Sequence, residues 1–132
     1  ICNLGFGDIE SRDLCTALCG CQEAYILGAT IGIKADMLIK RLEIASPAEA
    51  FITDALASAA AESLCELADD TLRGVGKKPI RFSPGYGDLP LSVQPAVLAV
   101  LNADYTLGIA LSPSFLMTPM KSVTAIMGIL PN

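Results

Sequence analysis

Arg81 and Tyr86 bracket the stretch of the chain best equipped for chemistry. Residues 81–90 read RFSPGYGDLP, with an arginine, a tyrosine, two glycines and two prolines between apolar segments. Arg81 carries a planar, permanent cation whose fork suits two-pronged capture of a carboxylate. Pro84 biases its predecessor to extended backbone, so the main-chain groups of Phe82 and Ser83 are not consumed in a helix. Gly85 has no side chain and lets a flat group lie on the backbone. Tyr86 adds an aromatic face for a soft cation, and a hydroxyl. The same residues also describe a plain proline-rigid turn between a strand and a helix.

Other motifs carry less. NLGFGD at residues 3–8 has the Gly-x-Gly of a nucleotide loop, but no strand precedes it and the third glycine is missing. RGVGKKP at 73–79 lacks the Ser or Thr of a phosphate loop and reads as a solvated turn. Cys15, Cys19 and Cys21 form C-x-x-x-C-x-C. On a helix Cys15 and Cys19 align while Cys21 points away, so buried small hydrophobes, without an iron–sulfur cluster or zinc, are expected. Asp69 and Asp70 are adjacent on a helix and diverge, as a solvated helix end does. Met117 and Met120 read as strand core. The chain has no histidine, which excludes histidine acid–base catalysis, Ser–His or Cys–His nucleophiles and histidine metal ligation.

The elements that must position Arg81 and Tyr86 follow from periodicity. Residues 11–21 predict a short helix capped by Ser11, 23–32 a buried strand, and 34–45 a helix with Met37, Leu38, Leu42 and Ile44 inward. SPAE at 46–49 opens a long helix running to about Arg73, where Gly74 can stop it. Its alanines allow another element to approach closely. Residues 79–83 predict a strand, 91–103 a helix, and 108–112, 114–118 and 122–129 three short strands, antiparallel because their connections are short. The long helix should lay its alanine face on one sheet containing 79–83 and all three final strands. The fold class is α+β, a twisted, mostly antiparallel sheet packed with helices.

The 132 residues make a single domain, 1–132, expected to be a piece of a longer chain because it opens on isoleucine. Hydrophobic residues are 52% and charged ones 17%, which leaves apolar surface to be covered by a partner, a homo-oligomer or the rest of a larger protein. No apolar run is long enough for a membrane helix. A net charge of −5 with scattered bases argues against nucleic acid. Five cysteines without a disulfide framework fit a reduced, cytoplasmic protein.

A carboxylate, a flat heterocycle and a soft cation, the groups that residues 81–86 could receive, occur together in S-adenosylmethionine. Arg81, Phe82, Ser83, Pro84, Gly85 and Tyr86 also match the Arg-x-x-x-Gly-Tyr motif, and here the chain resembles the activation domain of cobalamin-dependent methionine synthase. DLPLSVQPAVLAVLN resembles the helix that follows the motif. LSPSFLMTPMKSVTAIMGI resembles the closing strands, and the front half is similar to small stand-alone members. The resemblance implies that residues 81–86 bind S-adenosylmethionine in a shallow groove. It implies a partner too: a corrinoid-binding domain or protein whose cobalamin is reductively methylated with an electron from a flavodoxin-type donor. The family's acidic contact shortly before the arginine has no counterpart in GVGKKPI. A scaffold domain that keeps the fold without useful cofactor binding is the alternative, and a seven-strand methyltransferase, with a parallel sheet, is a third.

Overall fold

The computed structural model describes residues 2–73 and 81–129. Its organising element is β7 (Ser122–Ile129), the middle strand of a three-stranded sheet. β3 (Glu23–Thr30) pairs with it antiparallel over its whole length, Glu23 opposite Ile129 and Thr30 opposite Ser122. β4 (Arg81–Phe82) pairs antiparallel on the other side, Arg81 opposite Met127 and Phe82 opposite Ile126. Strand side chains alternate between faces, yet residues 124–128 are all buried. Both faces are therefore covered.

One face carries Ile26, Ile126 and Phe82, which join Ile9, Leu14 and Leu89 in the main apolar core. α1 (Arg12–Ala17) covers it at one end. α4 (Gln94–Leu101) and α5 (Ala103–Thr106) cover the other, where Leu98, Ala103 and Ile109 make a second core. Two glycines permit the close approach. A Cβ at Gly128 would stand 2.6 Å from Cys21 Sγ, and one at Gly28 would stand 2.9 Å from both Leu101 Cδ1 and Leu107 Cδ1. Thr124 donates to buried Gln94 Oε1 at 2.7 Å, so the polar groups within this layer satisfy each other.

The opposite face is small: Ala29 and Ala125, with Met127. α3 (Pro47–Arg73) lies on it with an equally small stripe, Ala50, Ala57, Ala61 and Cys65. α2 (Ile33–Ala45) packs beside α3. Lys121 at the start of β7 pairs with Asp54 at 2.9 Å, and Asp36 Oδ2 accepts the Met120 N–H at 2.8 Å, tying both helices to that end of the sheet. No helix among the described residues is long and apolar enough to cross a membrane.

The α+β class and antiparallel pairing are as expected; several details are not. The segments expected as three final strands divide. Only 122–129 joins the sheet, while β5 (Ala110–Leu111) and β6 (Met117–Thr118) form their own ribbon. Each is two residues long, too short to reach across the domain. α1 ends at Ala17, four residues before Cys21. NLGFGD is the turn of a small hairpin between β1 (Cys2–Asn3) and β2 (Asp8–Ile9), with Gly5 at φ 90°. Cys15 is in a disulfide, against an all-reduced set; Cys19, Cys21 and Cys65 are free. Of the alanines expected to allow close approach, Ala57 and Ala61 are buried against the sheet, whereas Ala55, Ala59 and Ala60 face solvent. Met120 is exposed, outside any strand. The Gly74 helix stop and RGVGKKP beyond its first residue lie outside the described residues.

Candidate functional site at the free edge of the sheet

β4 is an edge strand, so one side of Arg81 and Phe82 has no neighbouring strand among the described residues. Alternation then splits the motif. Phe82 points into the main core, whereas Arg81 points to the α3 side, level with Met127. Arg81 Nη2 donates to Glu62 Oε2 of α3 at 3.0 Å, and the carboxylate is more than half exposed. Arg81 Nη1 is buried with no hydrogen-bond partner. The guanidinium thus uses one prong on an exposed acid and leaves the other unused. Beneath it lies Cys65, fully buried; burial pushes its thiol pKa up, and the nearby Arg81 charge offsets part of that.

Phe82 and Tyr86 meet edge to face, ring centroids 5.2 Å apart, and Tyr86 is otherwise exposed. Its ring stands on the Phe82 side of the sheet, away from Arg81. The two named side chains therefore flank the free edge of β4 from opposite faces. Between them Ser83 is half-buried and Pro84 buried. The chain turns back with Tyr86 N–H donating to the Ser83 carbonyl at 3.1 Å and Gly85 N–H to the Leu89 carbonyl at 3.0 Å. Gly85 is exposed and sits at φ 89°, a conformation that side chains resist, and a Cβ there would stand 3.3 Å from Leu91 Cδ1.

Asp88 holds this loop in place, a role no sequence motif signalled. Its carboxylate accepts from the Ser11 hydroxyl, from Arg12 N–H at 2.9 Å and from Asp13 N–H at 3.1 Å. Asp13 returns the contact, its Oδ2 accepting Asp88 N–H at 3.1 Å. The hydrogen bond from Ser11, followed by those from the backbone, holds the Asp88 carboxyl below the usual range. Ser11 also caps α1, accepting Leu14 N–H at 3.1 Å. One acid therefore clamps the motif loop to the first turn of α1. Glu62 was likewise missed: it is 19 residues from Arg81 and no local pattern links them. A cavity of about 350 Å³ lies at the other edge, between the N-terminal hairpin, Leu18, Cys21 and β3, and none of its lining belongs to residues 81–86. The site at the motif lies on the edge strand of the sheet and its following loop.

No protein-family model matches the chain, and no curated protein matches it. Among solved structures it is similar to the crystal structure of the MetH reactivation domain bound to AdoHcy, with a TM-score of 0.75 and 22% sequence identity. The fold is that of the MetH reactivation domain. The likeness covers 83% of this chain and 40% of that one, so the chain spans well under half of its structural neighbour.

Proposed function

We propose that this chain is an S-adenosylmethionine-binding module supporting reductive methylation of a corrinoid held by a partner, a cobalamin-dependent methionine synthase or related methyltransferase. The observation that carries the reading is Arg81. It stands on an edge strand of the sheet among the described residues, with its buried Nη1 unpartnered and its Nη2 on an exposed carboxylate that a ligand can replace. The fold likeness supports it, since that neighbour is described as bound to AdoHcy.

In this reading S-adenosylmethionine, when bound, supplies the methyl group; the cobalamin and a flavodoxin-type reductant belong to partners. The chain's own residues bind and orient. Arg81 exchanges Glu62 for the ligand's carboxylate, an exchange at modest cost because exposed ion pairs contribute only about 0–1 kcal/mol. Gly85 gives the loop its left-handed turn beside Leu91, Tyr86 borders it, and Phe82 supports Tyr86 from beneath. Asp88 keeps residues 83–87 in position through α1.

The scaffold reading also has an observation in its favour: Glu62 gives Arg81 a partner within the chain. Calorimetric titration with S-adenosylmethionine separates the two. Saturable binding, tightened up to about fivefold by Glu62→Gln as the internal competitor is removed, supports the module. No binding at millimolar ligand in either protein leaves the scaffold.

A further inference from the structure

β3 is the other edge of the sheet, and its pairing reveals which of its main-chain groups are in use. Ile31 N–H donates to the Lys121 carbonyl at 3.2 Å, one step beyond the Thr30–Ser122 pair. Antiparallel pairs alternate between hydrogen-bonded and non-hydrogen-bonded. Tyr25, Leu27 and Ala29 therefore bond to β7, whereas Ala24, Ile26, Gly28 and Thr30 turn their N–H and C=O groups away from it. The hydroxyl contact from Ser122 to Thr30, 2.8 Å, agrees with this phase, because side chains stand closer in the non-bonded pairs. Among the described residues, the outward main-chain groups of Ala24, Ile26 and Gly28 have no hydrogen-bond partner.

Proteins ordinarily blunt an edge of this length with charge, proline or a bulge. β3 has one charge, Glu23 at its start, no proline, and an unbroken register over eight residues. The cavity of about 350 Å³ adjoins the same edge. Leu4, Leu18 and Ile26 give it apolar walls, and exposed Glu23 lines it too. The open amide row and the cavity meet at Ala24 and Ile26, which belong to both.

We propose that this edge takes an extended peptide segment of a partner protein as an added strand, with one large apolar side chain in the cavity and a basic residue near Glu23. Strand addition draws affinity from main-chain hydrogen bonds and specificity from pockets for alternate side chains, and this edge has both. A second copy of this chain fits less well. Its β3 would bring Ala24, Ile26, Gly28 and Thr30 to the cavity side; only Ile26 is large, and it already packs on its own core. Residues 74–80 lead into β4 on the opposite edge, and residues 130–132 are too few, so neither supplies the strand. The proposal is independent of the site at residues 81–86.

The probe is the end-blocked peptide KTVLVTK, which is basic, rich in β-branched residues and carries the same side chains in either strand direction. In the protein alone, amide exchange followed by NMR should be about tenfold or more faster at Ala24 and Ile26 than at Tyr25 and Leu27, and saturating peptide should slow the first pair. Calorimetric titration should show binding that weakens about 10- to 100-fold when the central leucine becomes alanine. N-methylating either the threonines and leucine or the two valines blocks opposite edges of the peptide, so one form should lose binding and the other keep it. Ala24→Pro removes an outward N–H and no ladder bond, and should lose the peptide with its circular dichroism unchanged. Equal exchange at the two sets of β3 amides, no binding at millimolar peptide, indifference to the leucine, or N-methylated forms that behave alike would overturn the proposal. Protection of Ala24 and Ile26 that grows with protein concentration in the absence of peptide would overturn it in favour of a second copy.

Discussion

Gly87→Ala tests how the motif loop is held. Gly87 has φ 55°, and a Cβ there would run into Asp13 Oδ2, with Asp13 Cγ only 3.2 Å away. Two costs follow. Left-handed backbone costs a residue with a Cβ about 1–2 kcal/mol. Displacing Asp13 Oδ2 also removes the acceptor of Asp88 N–H, worth about 0.5–1.5 kcal/mol for an ordinary hydrogen bond. Together these come to about 1.5–3.5 kcal/mol. At about 3–5 °C per kcal/mol for a domain of this size, thermal unfolding followed by circular dichroism should fall by about 5–15 °C. In an Asp13→Ala background the obstructing oxygen is gone, so adding Gly87→Ala should cost only the backbone part. Gly87→Asn, which tolerates left-handed backbone, should keep only the clash. Equal costs in the two backgrounds would refute the clash, and an unchanged Tm would refute both parts.

Two further outcomes follow from the titrating groups. The Asp88 carboxyl is held below its usual pKa, so its stabilising contribution is complete above about pH 4, the unfolded value, and disappears as pH falls through the lower folded value. Thermal unfolding between pH 7 and pH 2 should show wild type losing more stability than Asp88→Asn on the acid side; parallel profiles would contradict the clamp. Burial raises the Cys65 thiol, while Cys19 is exposed. Iodoacetamide with mass-spectrometric mapping should therefore label Cys19 in the native protein and Cys65 only after unfolding, and equal labelling rates would contradict the packing of α3 on the sheet.

What the sequence revealed depended on how local each signal was. β7 was legible because its β-branched and apolar residues run unbroken from 123 to 129, and the loop was legible from its prolines and glycines. The start of α3 was announced by Ser46-Pro47. β5 and β6 were over-read because short apolar runs beside prolines look the same whether they enter a main sheet or a two-residue ribbon. The assignment of Arg81 and Tyr86 to opposite sides of an edge strand follows only from the register of β4 on β7 and the contact of the Tyr86 ring with Phe82. Glu62, the Asp88 clamp and the Cys15 disulfide were not legible, because each depends on chain segments that only the fold brings together.

The central claim is that Arg81 receives the carboxylate of the ligand's amino-acid end. Calorimetric titration of wild type and Arg81→Ala with S-adenosylhomocysteine, and with methylthioadenosine, which lacks that end, tests it most directly. A hydrogen bond to a charged group is worth about 1.5–3 kcal/mol, so Arg81→Ala should weaken S-adenosylhomocysteine binding about 10- to 150-fold. Arg81→Lys should restore only part of that loss, because a point charge lacks the second prong. Methylthioadenosine should bind wild type and Arg81→Ala alike. If S-adenosylhomocysteine also binds the two alike, or both ligands weaken by the same factor, Arg81 does not hold the carboxylate.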